Sequence, residues 1–378
     1  MARLKFLAYF SVWLILLPTS ASAGEADTTQ ITFGMSSPLS GPIGVYGRRM
    51  KIGIEAYFQK INGAGGIFGR TLKLKALDDG YEVAPAIANA RKLLDQDKVF
   101  ALMAFYGTAT STAMLPVLTD TGVPLIGTIS GASVLRVPNR PLMFHLRASY
   151  EDETACIVNQ LVSVGIKRIA VFYQDDGFGK AGMAGVVSAL AKKNLSPLVV
   201  ASVPRNSIEV ADAVKTISTA QPQAVIAVTL YRPTAAFITQ MRQGGSKPYF
   251  VALSPVGTDQ LISELGPEAA RGIQVSQVIP YPWGDKLSIV RQYKQDLQSY
   301  SATEPLSYYG LEGYLTARLV VAALQRAGPN PTRSAFVAAL RKGPFDFGGY
   351  RVNFEPGSNS GSKYVEISVI GAGGRILN

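Results

Sequence analysis

Residues 99–112 read VFALMAFYGTATST, and this stretch indicates how the rest of the chain folds. An apolar run from Val99 to Phe105 has the length and content of a buried strand. Gly107 then breaks the run, and the hydroxyl-rich segment from Thr108 to Thr112 begins a helical pattern. The stretch therefore predicts a strand that runs into the N-terminus of a helix lined with hydroxyl groups.

Such a helix start leaves backbone N–H groups unpaired. Together with nearby hydroxyls and the helix dipole, these groups can bind a carboxylate or a similar anion. The alternative interpretation is that the hydroxyls only cap the helix. The choice between the two depends on what the rest of the chain places beside Thr108.

The composition is that of a globular protein and excludes few functions by itself. The chain has 378 residues, of which 47% are hydrophobic and 17% charged, so it is long enough for two domains. The net charge of +11 could attract nucleic acid or an anionic membrane. However, Lys and Arg are scattered and do not alternate with aromatic residues in a binding stripe. We therefore expect no nucleic-acid partner and only a mild attraction for anionic ligands.

Residues 1–23 predict a signal peptide. Arg3 and Lys5 supply the basic region, residues 6–17 the apolar region, and Ala21-Ser22-Ala23 a small-residue cleavage site. The alternative is a membrane anchor, but about 12 apolar residues are too few to span a bilayer comfortably. We expect export, with Gly24 at the start of the mature protein.

Two residue types limit the possible chemistry. Cys156 is the only cysteine and His145 the only histidine, which argues against an internal disulfide, a Cys- or His-based metal site and a His-dependent triad. A dinucleotide-binding G-x-G-x-x-G does not follow the first predicted strand, and a P-loop motif does not occur. We expect no enzyme activity, no cofactor and no metal, and we interpret both residues as packing residues.

From Gln30 onwards, short apolar strands alternate with amphipathic helices, which predicts α/β units around parallel sheets. The first series ends near strand 123–127, and a second series runs from strand 142–148 to strand 272–280. After Trp283 the pattern returns to helices before two short terminal strands. The chain therefore predicts two Rossmann-like lobes with more than one chain crossing. Ligands bind such sheets at the carboxyl ends of the strands, here in the cleft between the lobes.

Several motifs in order resemble the exported binding proteins of branched-chain amino acid ABC transporters, the leucine/isoleucine/valine-binding family. The likeness covers nearly all of residues 30–370. It is carried by GMSSPLSGPIGVYGRRMKIGIEAY from Gly34, VFALMAFYGTATSTAM from Val99, VPLIGTISGAS from Val123, FYQDDGFGKAG from Phe172 and SYYGLEGYLTARLVVAAL from Ser307.

The resemblance implies a type I periplasmic binding protein fold, with two lobes joined by three chain crossings. We expect lobe 1 to contain residues 24–146 and 279–351, and lobe 2 to contain residues 147–278 and 352–378. Position by position, it also implies ligand contacts from the loops that follow the strands of both lobes. These predicted ligand-binding residues are Tyr46, Thr108, Ile129, Ser130, Gly131, Tyr150, Tyr231 and Ser254.

The sequence departs from the family pattern at two places. Gly131 stands where amino acid binders often have a side-chain hydroxyl. The turn Ser254 to Gly257, SPVG, lacks the acid that usually pairs with the ligand ammonium, and a buried ammonium without a counter-charge costs several kcal/mol. The acids considered as replacements, each equally suited to capping a helix, are Glu151, Asp152, Asp175 and Asp176. We hypothesise that the ligand is an organic or aromatic acid held by Thr108 and the tyrosines.

The resemblance implies an exported solute-binding protein of an ABC importer. It would capture a small carboxylate-bearing ligand, either an amino acid or an organic or aromatic acid, by closing its lobes. Its partner would be an ABC permease in the inner membrane, and we expect a periplasmic monomer. The alternative is a sensing module of the same fold that reports its ligand state to a membrane receptor or regulator.

Overall fold

The structure is a computed structural model that describes residues 29–136 and 140–378. The predicted signal peptide lies outside these residues. None of the described helices combines the length and apolar content needed to cross a bilayer.

The first sheet has five parallel strands in the order β2-β1-β3-β4-β5. Its outer strand β2 alternates buried Leu72 with exposed or partly exposed lysines, as an edge strand should. The strands are β1 Gln30–Ser37, β2 Thr71–Asp78, β3 Ala101–Met103, β4 Leu125–Ile126 and β5 Met143–Phe144.

The second sheet has seven strands, and its interior strand AVIAV, residues 224–228, is buried on both faces, as expected for a parallel strand covered by helices. Five of its strands are β6 Ile169–Asp175, β7 Val200–Pro204, β8 Ala224–Val228, β9 Tyr249–Ala252 and β10 Gln274–Gln277. A two-stranded ribbon of β11 Phe345–Asp346 and β12 Arg351–Val352 precedes the two strands that complete the sheet, β13 Glu366–Ile370 and β14 Ile376–Leu377.

The helices cover the faces of both sheets. They are α1 Gly44–Gly63, α2 Val83–Asp95, α3 Thr108–Ala113, α4 Leu115–Thr121, α5 Tyr150–Ser163, α6 Gly177–Ala191, α7 Ala211–Ala220, α8 Tyr231–Gln243, α9 Thr258–Leu265, α10 Pro267–Ala270, α11 Ser288–Tyr300, α12 Tyr308–Ala327 and α13 Arg333–Arg341.

The chain passes between the sheets three times. It leaves the first sheet after β5, returns after β10, and enters the second sheet again at β13. Helices α11 and α12 pack against α1, on the side of the first sheet. Tyr350 joins the crossings, because its hydroxyl donates to the carbonyl oxygens of Leu146, at 2.8 Å, and Val278, at 3.5 Å. The predicted α/β fold with two lobes and three crossings is confirmed, and the exact lobe boundaries stay a prediction.

Several sequence-based details were wrong. The second sheet is not wholly parallel, since β13 runs antiparallel to β10 and β14. Helices α9 and α10, which were not predicted, lie between β9 and β10. The helical pattern that begins at Thr108 is divided at Met114 into two short helices, because Pro116 begins a new helical turn without an amide hydrogen to donate. The strand predicted at 142–148 is reduced to β5.

Candidate functional site

The predicted ligand-binding residues lie in the segments that follow strands β1, β3, β4, β5, β8 and β9, where the two sheets face each other. All are buried except Tyr231, which is partly exposed. Most of them are linked by direct contacts, which are described below. Ile129 differs, because its backbone is already used. Its N–H donates to Phe105 at 2.8 Å, and its carbonyl accepts from Gly107 at 3.1 Å.

Thr108 and Ser130, on the first-sheet side of the cleft, form a hydroxyl cluster with Tyr150, the first residue of α5, which packs on the second-sheet side. The Thr108 and Ser130 hydroxyl oxygens are 2.8 Å apart, and both side chains are buried. Burial raises the pKa of Tyr150, although the Arg147 charge and a hydrogen bond with Thr108 oppose the rise. Tyr150 therefore keeps its proton at neutral pH, and the cluster offers O–H donors in a site of low dielectric.

Helix α3 contributes less to this cluster than its sequence suggested. It has only six residues, and its N-cap Gly107 makes no side-chain capping hydrogen bond. The Thr110 hydroxyl donates back to the carbonyl oxygen of Tyr106. A helix of this length has a small dipole. The hydroxyl groups are thus the main polar feature of the Thr108 segment.

Gly131 is a glycine because Tyr150 occupies the space beside it. A Cβ atom at position 131 would lie 2.4 Å from Cδ1 of Tyr150 and 2.6 Å from its backbone nitrogen. The Gly131 carbonyl instead accepts a hydrogen bond from the Tyr150 N–H at 2.9 Å. The Tyr150 ring and backbone therefore occupy the space that a side chain at position 131 would need.

A guanidinium lies directly behind the hydroxyl cluster. Nη1 of Arg136 donates to the carbonyl oxygen of Ser130 at 2.8 Å, and Nη2 donates to that of Arg147 at 3.1 Å. Burial lowers the pKa of Arg136 to about 10, so it remains charged at neutral pH. Within the described residues, no carboxylate oxygen lies within 4.0 Å of this guanidinium. This positive charge makes the cluster more favourable for an anion.

Five tyrosines fill the centre of the cleft, and we call them the tyrosine cluster. The Tyr46 ring stacks on Tyr309, with centroids 4.5 Å apart, and on Tyr106, at 5.7 Å. The Tyr231 ring meets Tyr46 edge-on at 5.9 Å, and Tyr81 meets Tyr106 edge-on at 5.6 Å. The cleft therefore contains a packed group of aromatic rings with polar edges, and such a lining suits an aromatic or apolar ligand body.

The two sides of the cleft are in contact. The Tyr46 hydroxyl donates to the carbonyl oxygen of Val256 at 2.7 Å, and the Tyr231 hydroxyl donates to that of Pro42 at 2.7 Å. A further interlobe contact is the ion pair between Arg49 and Asp259. Because these contacts join loops of the two sheets, the structure represents a closed arrangement of the cleft.

The sequence interpretation missed Glu153, the carboxylate that lies at the SPVG turn. Its Oε2 accepts from the Ser254 N–H at 2.8 Å and from the Ser276 hydroxyl at 2.5 Å, and its Oε1 accepts from the Ser254 hydroxyl at 3.1 Å. Burial raises the pKa of Glu153, while Arg147 and these hydrogen bonds oppose the rise. Helical spacing is the sequence feature that could have identified Glu153, since this residue lies one turn after Tyr150 on the buried face of α5.

Three of the four acids considered from the sequence have other partners. Asp152 forms a capping box with Ser149, and Asp176 caps α6 through the N–H groups of Phe178 and Gly179. Asp175 is half exposed and pairs with Lys180 at 2.9 Å. The helix-cap interpretation therefore applies to Asp152 and Asp176. Glu151, in the first turn of α5, is partly exposed.

A buried ion pair lies at the base of the cleft, and the sequence interpretation did not anticipate it. Arg147 donates from Nε to Oε1 of Glu312 at 2.9 Å and from Nη2 to Oε2 at 3.0 Å. Burial alone would lower the pKa of Arg147, but Glu312 raises it above its usual value. Nη1 of Arg147 has no hydrogen-bond partner among the described residues. Arg147 borders a cavity of about 10 Å³ that Ser254 and Tyr309 also line, and this volume has room for about one water molecule.

The lone histidine belongs to the core. Nδ1 of His145 lies 2.6 Å from the Thr128 hydroxyl, and Nε2 lies 3.0 Å from the Leu135 carbonyl oxygen. Burial lowers the pKa of His145 well below its usual value, so the ring is neutral. Over residues 29–136 and 140–378, no group of three or more His, Cys, Asp or Glu side chains is placed to hold a metal ion.

The chain is similar to known binding proteins over almost its whole length. Residues 30–373 match the family model described as periplasmic binding protein. An amino acid binding protein of Pseudomonas aeruginosa is 26% identical over 316 residues, which are 81% of each chain.

Two solved structures of binding proteins are also similar to this chain over almost its whole length. A protein from Rhodopirellula baltica, named a possible leucine/isoleucine/valine-binding protein, superposes with a TM-score of 0.88 at 35% identity and covers 94% of this chain and 98% of its own. A substrate-binding periplasmic protein from Ralstonia solanacearum superposes with a TM-score of 0.87 at 33% identity, covering 92% of this chain and 99% of its own. The matched family and these similar chains are binding proteins, not enzymes.

Proposed function

This chain belongs to the periplasmic binding protein family, and we propose that it captures a small carboxylate-bearing solute for an ABC importer. The solute is an amino acid or an organic or aromatic acid. It is bound between the lobes of a protein that is exported to the periplasm and delivers it to an inner-membrane permease as a monomer. The relatives named for amino acids and for leucine, isoleucine and valine support this class of ligand.

The observation that carries the proposal is the hydroxyl cluster with the guanidinium behind it. Thr108 and Tyr150 each have a hydroxyl that can donate to a carboxylate, and Ser130 links Thr108 to the Arg136 guanidinium through its carbonyl oxygen. Hydrogen bonds to an ionised acceptor are stronger than neutral ones, and the low dielectric of a closed cleft strengthens them further. The tyrosine cluster would pack against the body of the solute.

Glu153 makes the site compatible with amino acids as well as with acids that lack an amine. Its carboxylate lies behind Ser254, whose hydroxyl donates to it at 3.1 Å and can still accept a hydrogen bond from a ligand ammonium. The sequence alone favoured acids without an amine, because the SPVG turn has no carboxylate. With Glu153 at that turn, an ammonium would meet a counter-charge one hydroxyl away.

Isothermal titration calorimetry and thermal shift against leucine, isoleucine, valine, the matching keto acids and aromatic acids test the ligand. Stabilisation should follow the ligand concentration relative to its dissociation constant. Binding of the amino acids alone would reject the hypothesis of an amine-free acid, and binding of none of these compounds would reject the carboxylate site.

The transport role needs a separate measurement. A strain that lacks this protein should lose uptake of the captured solute and regain it when the full chain is expressed. Unchanged uptake, together with loss of a ligand-dependent signalling response, would instead support the sensing module.

A further inference from the structure

A surface pocket of about 410 Å³ lies where the second chain crossing passes the edge of the second sheet, and we call it the crossing pocket. Three separate segments form it: the start of α9, the segment that follows β10, and the turn into β14. None of the predicted ligand-binding residues and no member of the tyrosine cluster lines it. Its volume is typical of small-molecule sites. The side chains used below are Asp259, Ile262, Tyr281, Trp283, Arg375 and Ile376.

Aromatic rings form one wall of the crossing pocket. The ring centroids of Tyr281 and Trp283 are 5.3 Å apart, and the Trp283 ring meets the buried Tyr308 ring edge-on at 5.5 Å. The Trp283 backbone is also held, because its carbonyl oxygen accepts from Nζ of Lys294 at 2.9 Å. Trp283 is only partly buried. A fixed aromatic surface is therefore available to an occupant.

Arg375 supplies a cation from the turn between β13 and β14. Its carbonyl oxygen accepts from the Gly371 N–H at 2.7 Å. The turn also packs on α9, since a Cβ at Gly374 would lie 3.0 Å from Cγ2 of Ile262. The Arg375 guanidinium is exposed and makes neither a hydrogen bond nor an ion pair with the residues that the structure describes. Its backbone is thus held in place while its charge is available.

Asp259 supplies a carboxylate on another wall. Its side chain accepts hydrogen bonds from Arg49 and from Nε2 of Gln260, the latter at 2.9 Å, and both reach Oδ2. Oδ1 accepts none from the described part of the chain. One carboxylate oxygen of Asp259 can therefore accept a hydrogen bond from an occupant.

This set of side chains favours a zwitterion with an apolar body. A guanidinium binds a carboxylate and a carboxylate binds an ammonium through charge-assisted hydrogen bonds. A ligand with only one kind of charge would meet the like charge of either Asp259 or Arg375, which is unfavourable. The apolar body would pack against Ile262, Trp283 and Ile376.

We propose that the crossing pocket binds a free amino acid with an apolar or aromatic side chain. The carboxylate lies on Arg375, the ammonium on Oδ1 of Asp259, and the side chain against Trp283. This site goes beyond the proposed function, because it takes a second ligand besides the solute in the cleft.

Asp259 also connects the crossing pocket with lobe closure. Its Oδ2 pairs with Arg49 of α1 across the lobes, and an ammonium on Oδ1 would repel this guanidinium. The occupant therefore weakens the interlobe ion pair. By linkage, the occupant and the solute in the cleft weaken each other's binding by the same factor.

Tryptophan fluorescence tests the site, because Trp283 is the only tryptophan outside the predicted signal peptide. Titration of the chain without residues 1–23 with L-phenylalanine should give a saturable change in emission. N-acetyl-L-phenylalanine lacks the ammonium and L-phenylalaninamide lacks the carboxylate, so each should bind at least about tenfold more weakly. Equal affinity for all three compounds, or no change in emission with L-phenylalanine, would reject the crossing pocket.

Arg375→Gln should weaken L-phenylalanine binding by about tenfold, because one charge-assisted hydrogen bond is lost. Arg271→Gln is the matched control, since Arg271 is also exposed on the second-sheet side but does not line the pocket. It should bind as the wild type does. Arg49→Met should tighten L-phenylalanine binding, because Asp259 is then not shared, and unchanged or weaker binding would reject the connection with lobe closure.

Thr108→Ala separates the crossing pocket from the cleft. The emission change should persist in Thr108→Ala and be weakened in Arg375→Gln. The opposite pattern would mean that Trp283 senses only closure of the cleft, and it would reject the pocket. Calorimetric binding of a carboxylate solute by Arg375→Gln tests the proposed function separately. If the acids and amino acids of the panel bind only through Arg375, the proposed function fails and the crossing pocket stands.

Discussion

The hydroxyl of Tyr46 donates a hydrogen bond to the carbonyl oxygen of Val256 at 2.7 Å, and these residues lie on opposite sides of the cleft. Tyr46 is in the first turn of α1, beside the first sheet, whereas Val256 is in the turn after β9 of the second. The Tyr46 ring is fully buried and stacks on Tyr309. One side chain thus lines the candidate site and also joins the two lobes.

Tyr46→Phe should weaken solute binding about tenfold, because it removes this hydrogen bond and leaves a buried carbonyl unpaired in the closed state. The ring and its stacking are retained, so the thermal unfolding of the unliganded protein should change little. Calorimetric titration with the best ligand of the panel measures the effect. Tyr57→Phe on the same helix, where the ring packs against Tyr314 away from Val256, is the control and should bind as the wild type does. Equal affinity in the two variants would mean that the Tyr46 contact does not stabilise the liganded form.

Thr108→Ala should weaken binding by about 1–3 kcal/mol, since one hydrogen bond to an ionised group is lost. Its effect on folding should be small, because Ser130 can still accept from the Ala132 N–H. Thr119→Ala, which removes an exposed hydroxyl bonded within α4, is the matched control. The two variants should differ in dissociation constant and agree in urea midpoint. An unchanged dissociation constant in Thr108→Ala would remove Thr108 from the site.

Arg147→Met should destabilise the fold by about 3–5 kcal/mol, because it leaves the Glu312 carboxylate buried without its cation. The double variant Arg147→Met with Glu312→Leu should recover much of this loss, since neither charge is then buried. Urea unfolding of the wild type, both single variants and the double variant gives the coupling energy. If the double variant is as unstable as the sum of the singles, the two side chains do not act as a pair.

Asp79, directly after β2, should make stability depend on pH. Burial raises its pKa from 3.8 to about 6, although hydrogen bonds from Ser36 and Tyr81 oppose the rise. Because the folded state binds this proton more tightly than the unfolded state, the contribution is fully present below pH 3.8 and is lost as the pH rises through about 6. Asp79→Asn should remove this pH dependence, which amounts to up to about 3 kcal/mol in the free energy of unfolding. Urea unfolding at pH 4, 5, 6 and 7 checks it, and parallel pH profiles in both proteins would contradict the assignment.

The sequence by itself determined the α/β architecture and the order of its strands and helices, apart from α9 and α10. This is possible because a buried strand and an amphipathic helix each leave a local hydrophobic period, which holds for ITFGMS in β1 and TLKLKALD in β2. The sequence also placed Thr108, Ser130 and Tyr231 after the ends of strands, because the end of an apolar run in the sequence marks the end of a buried strand. The predicted ends of helices and short strands were less accurate, as at Met114, because the exact end of an element depends on its capping and packing.

The tertiary structure alone decided which of these residues meet. Glu151, Asp152 and Glu153 look alike in sequence, but the start of α5 at Tyr150 turns only Glu153 towards Ser254. Arg147 pairs with Glu312, 165 positions away. Such contacts depend on how three chain crossings bring together the loops at the strand ends of two sheets, and the local hydrophobic pattern of the sequence carries no information about that arrangement.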